Sequence, residues 1–149
     1  MSESLPRLGY VGIGLMGLPM VKRLVSLGYP VRAYDILPRQ TQAAQAAGAH
    51  AATSPADATL GVDCVLLNLP TTDAVHAAVF GDGGVASALH PPQLVVDFST
   101  VKVDKGREFA ERLREVTGCG WVDAPVSGGP PASGTGTLTV MAGGTADDI

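Results

Sequence analysis

The run Asp63-Cys64-Val65-Leu66-Leu67-Asn68 constrains the fold most, because its inner residues are apolar at every successive position. A strand sends neighbouring side chains to opposite faces, so this one needs cover on both, as a parallel strand inside an α/β sheet does. Further β-rich runs occur at Arg7-Leu8-Gly9-Tyr10-Val11, Val31-Arg32-Ala33-Tyr34-Asp35, Leu94-Val95-Val96-Asp97-Phe98 and Trp121-Val122-Asp123, with a short one near residues 49–52. Helical patterns separate them, over residues 15–27, 38–47, 73–79 and 102–117, with a helical turn at 55–60. In the first helix Gly17, Met20, Val21, Leu24 and Val25 share one face, while Lys22, Arg23 and Ser26 share the other. In the last, Phe109, Ala110, Leu113 and Val116 are expected inward, with Glu108 and Arg112 as an exposed i,i+4 pair. A Pro/Gly-rich loop over 125–136 and a strand over 137–142 complete the pattern. Such alternation predicts a doubly wound α/β domain, a mostly parallel sheet with helices on both faces.

Composition narrows the function classes. A length of 149 residues fits one domain, and 46% hydrophobic with 16% charged residues excludes a disordered chain. The net charge of −4 comes without a basic run, so no nucleic-acid partner is expected. No stretch approaches the ~20 apolar residues of a membrane span. The amino-terminal residues 1–8 hold Glu3, Pro6 and Arg7 and no apolar signal core, which makes the cytosol the expected location. Cys64 and Cys119 lie in apolar surroundings and are expected to be reduced core residues, with no metal site.

Between the first strand and the first helix stands Gly12-Ile13-Gly14-Leu15-Met16-Gly17, a G-x-G-x-x-G. In a βα turn the first glycine permits the tight bend, the second lets the backbone approach a pyrophosphate, and the third lets helix pack on strand. Free N–H groups and partial positive charge at the helix start then favour a diphosphate. Asp35 ends the next strand eighteen residues past Gly17, near the spacing of a carboxylate that holds a ribose 2′-hydroxyl. The same carboxylate would repel a 2′-phosphate, so NAD is expected over NADP, although Arg39 one turn on could pair with such a phosphate. The bland alternative is a ligand-free βα turn with Asp35 capping the following helix. With the dinucleotide reading, the domain is of the Rossmann type.

The loop continues as Leu18-Pro19-Met20, and the stretch Tyr10 to Met20 resembles the signature of the β-hydroxyacid dehydrogenases, the family of 3-hydroxyisobutyrate dehydrogenase and tartronate semialdehyde reductase. Asn68-Leu69-Pro70, Asp97-Phe98-Ser99-Thr100 and Asp123-Ala124-Pro125-Val126-Ser127-Gly128-Gly129, running on to Gly136-Thr137-Leu138-Thr139-Val140-Met141-Ala142-Gly143-Gly144, match in the family's order. The resemblance implies a hydride transfer between NAD(P) and a short β-hydroxy acid such as 3-hydroxyisobutyrate. It places Gly12, Gly14, Leu15, Met16 and Gly17 at the diphosphate and the adjoining ribose. Asn68, Leu69 and Pro70 would meet the cofactor at the sheet edge, and Thr100 would lie near the nicotinamide. Ser127, Gly128 and Gly129 would bind the substrate carboxylate, a role that a hydroxyl beside open N–H groups can fill. Ser-Gly-Gly-Pro-Pro is also plain turn chemistry. Val103 stands where relatives often have proline, and Pro130-Pro131 stiffens a loop where they vary.

Other residues are expected to be bystanders. His50, His76 and His90 show no ligand spacing, and Lys102 and Lys105 sit with Arg107 and Glu108 on a solvated helix face. The resemblance places the family's general acid/base lysine in an all-helical second domain after the Gly-Gly segment, and no residue up to Ile149 matches it. The chain is therefore expected to carry no catalytic residue of its own, and the full protein to form homo-oligomers through that domain. The alternative from another class is a non-catalytic NAD-binding module that kept the fold without the chemistry.

Overall fold

The computed structural model describes residues 4–149; the first three residues of the stretch read for a signal lie outside the described residues. Six strands, β1 (Leu8–Val11), β2 (Val31–Tyr34), β3 (His50–Ala51), β4 (Cys64–Leu67), β5 (Leu94–Asp97) and β6 (Gly120–Asp123), form one sheet in the order β3-β2-β1-β4-β5-β6. Every pairing in it is parallel. The helices are α1 (Gly17–Ser26), α2 (Pro38–Ala46), α3 (Pro55–Thr59), α4 (Thr72–Phe80), α5 (Val103–Thr117) and α6 (Gly129–Thr135). The strand order reverses between β1 and β4, and open α/β sheets bind ligands in the crevice beyond such a switch point.

The central strand behaves as its composition requires. Val65 and Leu67 of β4 join Val11, Val95, Val75, Val79, Phe109 and Leu113 in one core beneath α3, α4 and α5. Leu66 points the other way, into a second core with Leu8, Tyr10, Ile13, Val21, Val31 and Ala44 beneath α1 and α2. The sheet is therefore an apolar layer covered on both sides, and each buried aliphatic side chain contributes roughly 1.5–3 kcal/mol.

Local signals account for most element ends. Ser54 Oγ accepts from the Asp57 N–H at 2.9 Å, and Thr71 Oγ1 from the Ala74 N–H at 3.0 Å, so α3 and α4 begin on side-chain caps. The first helix starts at Gly17 rather than at residue 15, leaving Leu15 and Met16 in the loop. Pro19 still falls in its first turn, where a missing N–H is harmless.

Three expectations are corrected. Glu108 pairs with Lys105 at 3.1 Å, while the Arg112 guanidinium stacks 4.3 Å over the Phe80 ring and meets His76 Nε2 at 3.2 Å. A stacked, weakly hydrated guanidinium outcompetes an exposed i,i+4 pair worth only ~0.3–0.5 kcal/mol. Val116 is 64% exposed, because the last turn of α5 leaves the packed face that Phe109 and Leu113 occupy. The segment expected as one loop contains β7 (Val126–Ser127) and the helix α6, and β7 pairs antiparallel with β8 (Thr139–Val140). Prolines in the first turn of α6 preset its backbone, and packing on α1 supplies what its glycines withhold.

Leu113 is fully buried at the centre of the larger core. Leu113→Ala should lower unfolding free energy by about 2–5 kcal/mol, read from urea denaturation followed by circular dichroism.

Candidate functional site

A cleft of about 920 Å³ opens over the C-terminal ends of β1, β2, β4 and β5. Its floor is the glycine loop, and the local backbone explains each glycine differently. Gly12 has φ +103°, and a Cβ there would run into the Asn68 carbonyl on β4's continuation. At Gly17 a Cβ would strike the carbonyl of Gly12, so the loop closes on itself only without a side chain. Gly14 is neither strained nor crowded: nothing lies within 4 Å of the Cβ it lacks. Of the three, only Gly14 has its bare face toward open space, and it lines the cleft.

The loop is held from behind. Asp35 Oδ2 accepts from the Ile13 N–H at 2.7 Å, and Oδ1 accepts from the Leu37 N–H at 2.8 Å. Gln40 Nε2 donates to the Ile13 carbonyl at 2.6 Å, and Thr41 Oγ1 accepts from the Asp35 N–H at 3.0 Å. One peptide unit on each side of Ile13 is thus clamped from β2 and α2. Asp35 stands out in the sequence as a candidate ligand residue; Gln40 and Thr41 do not, and their only signal is their place in the first turn of the helix that follows the acid.

Among the described residues, the N–H groups of Gly14, Leu15, Met16 and Gly17 donate to no protein acceptor. They are the free donors at the start of α1, where the helix dipole adds partial positive charge. Among the described residues no lysine, arginine or histidine lines the cleft, and its charged groups are Asp35 and Asp82. An anion here would rest on backbone donors, and a bare glycine at Gly14 lets it approach them. These features fit a dinucleotide diphosphate.

Leu15, Met16, Asn68, Leu69, Pro70, Thr100 and Gly129 also line the cleft, as do Gly12, Gly17 and Asp35. Leu15 is 85% and Ile36 83% exposed, apolar surface left bare at the mouth. Tyr34, Leu37, Pro55, Ala74, Ala77 and Ala78 extend an apolar wall that no sequence motif marks. Asn68 turns its side chain inward, donating from Nδ2 to the Tyr10 hydroxyl at 3.2 Å, so only part of it faces the cleft. Ser127 and Gly128 are exposed beside the cleft without lining it. Gly128 has φ +131° and a Cβ there would stand 2.8 Å from that of Ala132, so the turn itself demands this glycine. Lys102 is exposed at the start of α5, His50, His76 and His90 are exposed, and both cysteines are free. The described residues contain no metal-binding cluster, and no helix among them is long and apolar enough to cross a membrane.

Behind the floor lies an unexpected pair of acids. Asp97 and Asp123 face each other in register on β5 and β6. Among the described residues Asp97 Oδ2 and Asp123 Oδ1 are buried without partners. Burial pushes the Asp97 carboxyl up to about 6, the Asp123 charge adds to it, and hydrogen bonds from Ser99 oppose it. Burial raises Asp123 as well. Asp97 Oδ1 accepts from the Ser99 N–H at 2.9 Å, and Ser99 Oγ accepts from the Leu69 N–H at 2.7 Å. The acid therefore shapes the turn that presents Leu69 and Thr100 to the cleft.

The family described as the NAD binding domain of 6-phosphogluconate dehydrogenase matches residues 7–149. The chain belongs to this family. It is 36% identical over 141 residues to human mitochondrial 3-hydroxyisobutyrate dehydrogenase, covering 95% of this chain and 42% of that protein. It is also 36% identical over 143 residues to the NAD-dependent L-serine dehydrogenase of Pseudomonas aeruginosa, covering 96% of this chain and 48% of that one. The solved structure of Mycobacterium tuberculosis 3-hydroxyisobutyrate dehydrogenase with L-serine superposes with TM-score 0.90 at 33% identity, over 97% of this chain and 48% of that chain. The resemblance drawn from the motifs is borne out, and with it the NAD-binding fold. The chain spans about half the length of the relatives it matches.

Two outcomes follow. Gly14→Val should leave the circular dichroism spectrum and melting temperature near wild type while abolishing NADH binding by calorimetry, whereas Gly12→Val should destabilise the fold. NADH binding by Gly14→Val at wild-type affinity would remove the loop from the ligand site. For Asp97, a folded pKa near 6 against an unfolded value near 3.8 means that the native state holds the proton more tightly between those values. Its contribution to stability is then present below the unfolded value and lost as pH rises through the folded one. Asp97→Asn should be up to ~3 kcal/mol more stable than wild type above pH 7, with the difference vanishing near pH 4, in urea titrations across pH.

Proposed function

We propose that residues 1–149 form the cofactor-binding half of an NAD-dependent dehydrogenase of short β-hydroxy acids. The observation that carries this reading is the open face of Gly14 before four uncommitted N–H groups at the start of α1. In this reading Gly12, Gly14, Leu15, Met16 and Gly17 hold the diphosphate, and Asp35 accepts from the adenosine ribose 2′-hydroxyl while bracing Ile13. Ile36, Leu37, Ala77 and Ala78 give the adenine an apolar slot. Asn68, Leu69 and Pro70 follow the cofactor along the sheet edge, and Thr100 stands at its nicotinamide end.

Bound NAD supplies the acceptor for the hydride that leaves the carbinol carbon. The chain's own part is to orient that acceptor and to exclude water with Leu15, Leu69 and Pro70. Ser127, with the N–H groups of Gly128 and Gly129, receives the substrate carboxylate as its anion site. The proton of the hydroxyl goes to a lysine in the remainder of the protein, an all-helical domain that also carries the homo-oligomer contacts. 3-Hydroxyisobutyrate and L-serine, the compounds in the relatives' names, each join a β-hydroxyl to a carboxylate, and that pair defines the substrate class. Free thiols at Cys64 and Cys119 suit a reducing compartment, with the cytosol as our assignment.

NAD is preferred over NADP because no cation lines the cleft to meet a 2′-phosphate and Asp35 would repel it. Asp35→Asn should weaken NADH about tenfold, in keeping with the loss of a charged acceptor, and should narrow the preference for NADH over NADPH. The ratio is the readout, because loosening the loop would weaken both cofactors alike. In the same preparation the isolated 149-residue chain should bind NADH yet reduce no NAD with either hydroxy acid, general acid/base catalysis alone being worth ~10²–10⁴-fold. Tighter binding of NADPH by the unmutated chain would defeat the cofactor assignment. Turnover of a few per second would place the base within residues 1–149.

A further inference from the structure

A buried hydroxyl joins two segments 117 residues apart in the chain: Ser133 Oγ on α6 donates to the Met16 carbonyl at 2.7 Å. Ser133 is 2% exposed, and its helix packs on α1. Met16 C=O also accepts the first helical bond of α1, from the Met20 N–H, but at a stretched 3.4 Å. The hydroxyl is therefore that carbonyl's closer partner. The two helices meet closely here: a Cβ on Gly134 would sit in ordinary contact with that of Pro19 in the first turn of α1, at 3.7 Å.

The carbonyl of Met16 and the N–H of Gly17 belong to one planar trans peptide and point in opposite directions. Gly17 N–H is one of the uncommitted donors at the start of α1. Holding the carbonyl from the α6 side therefore sets the direction of the N–H on the other. A hydrogen bond received at the carbonyl also polarises the peptide and strengthens its N–H as a donor, by about 10–30% per bond. Gly129, one helical turn before Ser133, lines the cleft, so α6 touches the proposed substrate segment at its start and the diphosphate loop at its middle.

We propose that Ser133 is a positioning residue that orients and polarises the Met16–Gly17 peptide for the cofactor diphosphate, tying cofactor affinity to the placement of the Ser127–Gly129 segment. The inference rests on the dinucleotide reading of the cleft. The side chain itself touches no ligand.

The test is calorimetric titration of the 149-residue chain, Ser133→Ala and Ser133→Cys with ADP-ribose, together with NMR titration by adenosine, which lacks the diphosphate. Ser133→Ala should weaken ADP-ribose about twofold to fourfold, as weakening a hydrogen bond to a charged group by that fraction implies, and leave adenosine unchanged. Ser133→Cys, near in size but a poorer donor, should fall between. The Gly17 amide proton should move upfield in Ser133→Ala before any ligand is added. Equal ADP-ribose affinity in all three proteins overturns the role of Ser133 and leaves the dinucleotide reading standing. Equal losses for ADP-ribose and adenosine would mark a general loosening and also overturn it. Failure of the unmutated chain to bind ADP-ribose defeats the dinucleotide reading and the inference together. Should Ser133→Ala not fold, the same comparison on Ser133→Cys decides the matter.

Discussion

Backbone meets backbone at the turn after β1, and the rest of the cleft depends on that approach. Gly12 lies against the Asn68 carbonyl, and Gly17 against the carbonyl of Gly12, at separations that admit no side chain. These contacts bring the start of α1 down onto the sheet at the point where strand order reverses. A ligand in the crevice then meets peptide N–H groups directly. Asp35, Gln40 and Thr41 complete the arrangement from the neighbouring strand and helix. Their bonds restrain Ile13 before a ligand arrives, so less ordering remains to be done on binding.

The electrostatics of the cleft are consistent with this economy of side chains. With no cation in the lining, attraction for a diphosphate rests on the dipole of α1 and its free donors. Such attraction is short in range and directional, so it depends on how the first peptides of α1 are aimed. That is where α6 matters, since its only buried polar side chain is spent on the Met16 carbonyl. The paired acids Asp97 and Asp123 act at a further remove. Keeping Asp97 buried costs stability when it is charged, and in return Oδ1 fixes the Ser99 turn beside Leu69 and Thr100.

Much of this was legible along the chain. The double-sided apolar run at Cys64–Leu67, the helical faces of α1 and α5, the glycine loop and Asp35 all carry their signal within twenty or so residues. Local periodicity and turn chemistry are sufficient to read them. Residues of the motifs around Asn68, Thr100 and Gly129 line one cleft. Ser127 and Gly128 lie beside the cleft, and Gly128 is explained by the turn alone.

What the sequence by itself determined is the alternation of elements, the parallel sheet buried on both faces and the chemistry of the loop at its switch point. Only the tertiary structure decided the remainder. The Pro/Gly-rich stretch after β6 has poor helical propensity, and it becomes α6 because α1 offers it a surface to pack on. Arg112 abandons Glu108 because Phe80, on another helix, presents a ring. Ser133 finds Met16 across 117 residues, and Asp97 finds Asp123 across a strand pairing. Each of these outcomes is set by a partner distant in sequence, whose position exists only once both faces of the sheet are covered.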